Sequence, residues 1–177
     1  MRKINILLLV VLALLAFTSV VSASPPDTIS FFALMNGDQE VPVRETPAIG
    51  ATLFRQRGEG GVLDYMLIVA NIENIAAAHI HCGAVGVSGP VGVTLFVGEA
   101  ASGPVSGVIE VGTIKAPDAN NGCEWDSMDA VLDAIESGNA YVNVHTNDGV
   151  EPTNTGPGDF PGGEIRGQIL LAGPSSQ

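Results

Sequence analysis

The sequence predicts a mainly β domain, an antiparallel eight-stranded Greek-key β-sandwich or barrel with one short helix. Three observations carry this. After residue 28 the chain is a succession of short runs rich in Val, Ile, Leu, Thr and Tyr, each bounded by Gly, Pro, Asn or Asp. One segment alone, around residues 128–135, spaces its apolar residues as a helix does. No fixed-period repeat runs through the chain, which argues against solenoids and propellers.

In chain order, residues 1–23 read as a signal peptide: Met1, Arg2 and Lys3 form a basic start, residues 4–17 an almost unbroken apolar run, and Val21-Ser22-Ala23 a small-residue cleavage signal. The apolar run is shorter than the roughly 20 residues a bilayer-spanning helix needs, so after cleavage the chain is expected to have no transmembrane segment. Residues 28–35 form a first β-rich run that breaks at Asn36-Gly37-Asp38, and Pro42 and Pro47 mark an irregular connection. Residues 49–57 and 62–72 follow across a glycine-rich turn as a hairpin, with Leu63, Tyr65, Leu67 and Val69 on one side. Residues 75–82 and 91–97 are strands separated by a loop holding Gly83, Gly86 and Gly89. Residues 104–114 give another strand or hairpin, in which Val105, Gly107, Ile109, Val111 and Thr113 share a face. Asp126 or Ser127 is placed to cap the helix, Met128, Val131, Leu132 and Ile135 line it, and Gly138 ends it. Residues 140–146 are a strand, 147–163 a long polar loop, and 163–171 the last strand, where Glu164, Arg166 and Gln168 alternate with Ile165 and Ile169.

The leader contains two basic residues and no acidic one, so its removal leaves five basic residues against nineteen acidic, a charge of −14. Such a field repels nucleic acid and anionic membranes and favours cations and basic partners. With two cysteines in an exported chain, a Cys82–Cys123 disulfide is expected. Closing a loop of about 40 residues would stabilise the fold by roughly 4 kcal/mol in the chain-entropy account. The alternative for Cys82 is a thiolate ligand beside His81.

The chemistry concentrates in three histidines. His79 and His81 lie two apart in one strand and so project side by side, and His145 lies in another strand. If the strands pair, three neutral imidazoles converge, a donor set that suits copper or zinc. The alternative is structural: histidines that bond buried backbone or Glu164 and hold a loop in place. Asn147, Asp148, Glu151 and Asp159 offer a weaker calcium candidate, read here as a solvated acidic loop. Residues 118–129 lack the spacing of an EF-hand, and no Gly-x-Ser-x-Gly elbow or phosphate-binding loop is present. Catalytic residues are therefore assigned to none.

Three motifs in order, LMNGDQEVP at 34–42, AHIHCGAVGVSGPV at 78–91, and GNAYVNVHT at 138–146 with PGGEIRGQI at 161–169, resemble the CHRD domain, the module named for chordin. The resemblance spans residues 28–172 and implies an exported β-rich domain, secreted or periplasmic, while leaving its activity open; the partner expected from the residues is a metal ion or an extracellular protein. The acidic charge speaks for no nucleic-acid partner, and an exposed edge strand would allow a homodimer. A looser similarity, a His-x-His strand before a Gly-rich, Cys-bearing loop with a later strand histidine, is to the copper side of copper-zinc superoxide dismutases. It implies His79, His81 and His145 as copper ligands. The chain has no fourth histidine, so the bridging histidine and the zinc side of those enzymes have no counterpart. The reading is a binding module, more a non-enzyme than an enzyme, with a copper or zinc site. The alternatives are a superoxide dismutase-like copper oxidoreductase and a metal-free structural or adhesive envelope protein.

Overall fold

A computed structural model describes residues 29–58 and 61–172; the expected leader, residues 1–23, lies outside them. The strands are β1 (Ser30–Asn36), β2 (Ile49–Arg57), β3 (Val62–Glu73), β4 (Ile75–Cys82), β5 (Val91–Val97), β6 (Pro104–Ile114), β7 (Ala140–Thr146), β8 (Ile165–Gln168) and β9 (Leu170–Leu171), with a 3-10 turn at Gly37–Gln39 and one α-helix, α1 (Met128–Glu136). The eight expected strands make the sheet, and the two-residue β9 arises because the closing run divides at Ile169, whose N–H donates to the Ala140 carbonyl, after which β9 pairs with β1.

All neighbours are antiparallel, in the order β5-β4-β7-β8-β1-β2-β3-β6. The sheet curls until its end strands β5 and β6 come together, forming a nearly closed barrel in which β3, β6, β5 and β4 lie in Greek-key order. Gly112, opposite Tyr65 in the ladder, leaves the space the Tyr65 ring occupies as its hydroxyl reaches across the seam to the Leu95 carbonyl.

The strands alternate as expected of half-buried β structure. Phe31, Ala33 and Met35 of β1, Leu63, Leu67 and Val69 of β3, and Ile80, Val142 and Ile165 across β4, β7 and β8 fill the interior. Ser127 caps α1 by accepting the Ala130 N–H, the apolar stripe Met128, Val131, Leu132 and Ile135 is buried, and Gly138 ends the helix at a left-handed φ of +73°.

One expected face fails. A β-bulge shifts the β3–β6 register at Ile109, so Val105 and Ile109 pack toward the core while Val111 turns outward and is 62% exposed. Cys82 and Cys123 form a disulfide, tying the end of β4 to the segment before α1 and removing the thiolate-ligand alternative.

Candidate metal centre

Strand parity builds the site. Because Ala78 and Ile80 of β4 point into the core, His79 and His81 point to the outer face. On β7, Val142 and Val144 point inward, so Tyr141, Asn143 and His145 share that outer face. The ladder sets His81 opposite Tyr141, His79 opposite Asn143, and His145 opposite Ala77, which makes His145 the diagonal neighbour of His79. The three ring centroids lie 5.0, 5.4 and 5.6 Å apart, and one nitrogen from each ring falls within 4.8 Å of the others.

Although this face is outside the barrel, it is not open. The 83–90 loop and the 157–163 segment fold over it, and His81 is only 7% exposed. Each covering segment presents a backbone carbonyl to a ring: Gly89 O lies 2.9 Å from His81 Nδ1, and Pro161 O lies 2.9 Å from His145 Nδ1. A carbonyl only accepts, so both Nδ1 atoms carry the hydrogen and both Nε2 atoms carry lone pairs. Those two Nε2 atoms face each other at 3.3 Å. Two lone pairs at that distance repel unless a cation sits between them.

Solvent protons are a poor source of that cation. Burial, reinforced by the neighbouring imidazoles, lowers His81 to about 4; burial and the His145 ring lower His79 to about 4; burial also lowers His145. A metal ion fits better. A tetrahedral ion about 2.0–2.1 Å from two nitrogens sets them about 3.3 Å apart, which is the separation of the two Nε2 atoms. His79 would supply a third donor, and its buried Nδ1 has no hydrogen-bond partner.

The surroundings fix these rings. Tyr141 stacks on His81 with the centroids 5.1 Å apart, and the Arg166 guanidinium lies 3.5 Å from the centroid of the Tyr141 ring. The Tyr141 hydroxyl accepts the Gly89 N–H at 3.0 Å and donates to the Gly89 carbonyl at 3.3 Å, holding from both sides the residue whose carbonyl faces His81. A side chain at Gly89 would collide with the Cys82 carbonyl, so this close approach needs glycine. On the other side, buried Glu164 accepts from Thr46, Thr146 and the Gly158 N–H, which pins the segment bearing Pro161.

The three histidines anticipated from spacing therefore come together, while Glu164 bonds to threonines and backbone rather than to a histidine. The weaker calcium candidate disperses: Asn147 and Asp148 accept local backbone N–H groups, and Asp159 is buried, accepting from Thr155, rather than solvated. Among the described residues, His79, His81 and His145 form the one cluster of three or more His, Cys, Asp or Glu side chains with metal-binding spacing. Sequence reasoning missed Tyr141, Asn143, Arg166 and Glu40, all of which border or support the site. The signal for two of them was present: Tyr141, Asn143 and His145 alternate, so the face that carries His145 carries the others.

Fold and cluster together define a barrel-like antiparallel domain that holds a partly buried trihistidine group beneath loops on its outer surface. The CHRD domain model matches residues 31–169, most of the chain, and the chain belongs to the CHRD-domain family. No curated protein matches it.

Proposed function

We propose that this chain is an exported CHRD-domain binding module that holds copper or zinc at His79, His81 and His145. The carrying observation is the pair of Nε2 lone pairs converging at 3.3 Å, each enforced by a carbonyl at the opposite ring nitrogen. Partners of this kind, which fix tautomer and orientation, are what ligating histidines ordinarily have behind them. Bound copper or zinc would supply a Lewis-acidic centre, and copper a redox-active one. Export rests on the leader at residues 1–23, with cleavage after Ala23, and on the Cys82–Cys123 bridge.

The test is titration of Cu(I), Cu(II) and Zn(II) into the mature, disulfide-intact chain and into a His79→Ala, His81→Ala, His145→Ala variant. Stoichiometric binding by the first and none by the second is expected. The same carbonyl contacts favour one other reading, in which the imidazoles pin the two loops and bind nothing. Absence of binding by the wild type, with a less stable variant, would decide for it.

A further inference from the structure

A second surface lies on the other half of the barrel. Leu170, Phe32, Leu53, Met66 and Val111 stand opposite one another in the ladder across β9, β1, β2, β3 and β6, making one uninterrupted apolar row. Beside it Leu34, Ala51, Ile68 and Val108 make a second. Both rows point away from the core, and Leu34, Val108 and Val111 are 60%, 55% and 62% exposed. The solvated face of an antiparallel sheet ordinarily carries polar residues. Here neither row contains one. The exposed fractions amount to roughly 600 Å² of apolar surface, at the top of what monomers show and close to the about 800 Å² per partner of a standard interface.

Charge around the rows identifies the occupant. Of the five basic residues that remain after the leader, Arg55, Arg57 and Lys115 gather at one end of this face, beside β2 and β6. Arg57 pairs with Asp64 at 2.6 Å and Arg55 is exposed, as is Lys115. The opposite end carries Glu73 on β3 and Glu45 just ahead of β2. The geometry points to a second copy of this chain: a face-to-face homodimer whose two-fold axis lies between the sheets, perpendicular to the strands. That operation sets the basic end of each copy over the acidic end of the other, while the apolar rows meet between them. An edge-to-edge dimer has less to work with, because the end strands β5 and β6 already lie against each other. The His79, His81 and His145 cluster sits on β4 and β7, away from this face, and the proposal does not depend on its metal.

The experiment is light scattering coupled to size exclusion on the mature, disulfide-intact chain at micromolar concentration, with Leu53→Glu and Val111→Asp variants whose fold is checked by circular dichroism. Wild type should run at twice the chain mass, and each folded variant at the chain mass. Because symmetry places each substitution in the interface twice, self-association should weaken by about a hundredfold or more. Arg55→Glu should loosen the dimer, and adding Glu73→Arg should restore it. A monomeric wild type overturns the proposal, and its flotation with phosphatidylcholine vesicles would reassign the face to lipid. A dimer that survives both apolar-row substitutions overturns the face, and one indifferent to the charge swap overturns the arrangement.

Discussion

Glu40 shows how far a side chain can depart from its place in the sequence. In a turn-rich, Pro-flanked stretch a glutamate is expected in water, yet Glu40 is 6% exposed and its Oε1 has no hydrogen-bond partner. Gly163, at φ +124°, leaves the space beside it, since a Cβ there would lie 2.7 Å from Oε1 and 2.5 Å from the Asn143 amide atoms. Burial raises Glu40 to about 7, against the lowering influence of the Val41 N–H and the Arg166 and Arg44 charges. The folded state then holds a proton that the unfolded chain, near its ordinary 4.5, has released. The stability linked to Glu40 is full below about 4.5 and is lost as pH rises to about 7, by about 3 kcal/mol. The histidines act oppositely, since lowered values remove stability as pH falls from about 6.5 toward 4. Comparing wild type with Glu40→Gln by urea unfolding at pH 5 and pH 8 isolates the carboxyl. Relative to wild type, the variant should gain stability on going to pH 8; an identical pH dependence of the two would show that Glu40 is ionised throughout.

At the scale of elements, the bounds of β2, β4, β5, β6 and β7 were legible to the residue, because β-branched runs end at turn residues, and period-2 alternation marks the inner face except in β6, where the bulge at Ile109 breaks it. The same alternation placed the three histidines on two strands, and strand pairing then brought them together. What the sequence concealed was the cover. Glu164, Arg166 and Gln168 alternate with isoleucines as a solvated face would, but β8 is buried on both sides and Glu164 just ahead of it is buried as well. Their side chains meet loop backbone: Arg166 donates to the Ala84 carbonyl and Gln168 to those of Gly83 and Gly138. Those loop paths depend on contacts distant in sequence, which no local pattern encodes. The disulfide is the one such contact that the cysteine count foretold, and Cys82 leads directly into the loop whose Gly89 carbonyl orients His81. A Cys82→Ser, Cys123→Ser variant should therefore lose two things together. Opening a link between residues 41 apart should cost about 4 kcal/mol in unfolding free energy, and zinc affinity should fall as His81 loses its fixed tautomer, by about tenfold or more. Chemical denaturation and metal titration of the one variant measure both. Full zinc affinity in a destabilised variant would show that Tyr141 and Arg166 suffice to hold the ring.

For the whole molecule, the site is a long-range construction: β4 and β7 are separated in sequence by β5, β6 and α1, and neither covering loop adjoins both strands. The unfolded chain has no such cluster, so on the proposed reading metal binding would add to the stability of the fold as a whole. At a free metal concentration a hundred times Kd the gain is about 2.7 kcal/mol, which for a domain of this size raises Tm by about 5–10 °C. Acidity sets the range over which this holds. Ordinary imidazoles would be largely protonated at pH 5.5, whereas His79 and His81, lowered to about 4, remain neutral and able to bind there. The zinc-induced rise in Tm should thus persist from pH 7.5 to 5.5, collapse toward pH 4, and vanish in the triple histidine-to-alanine variant. It should be unchanged in Leu53→Glu, whose apolar face belongs to other strands. Calorimetric scans with and without zinc across this range are the check, and a rise that disappears at pH 6.5 would mean that the rings titrate as exposed histidines and that the loops do not seal the site.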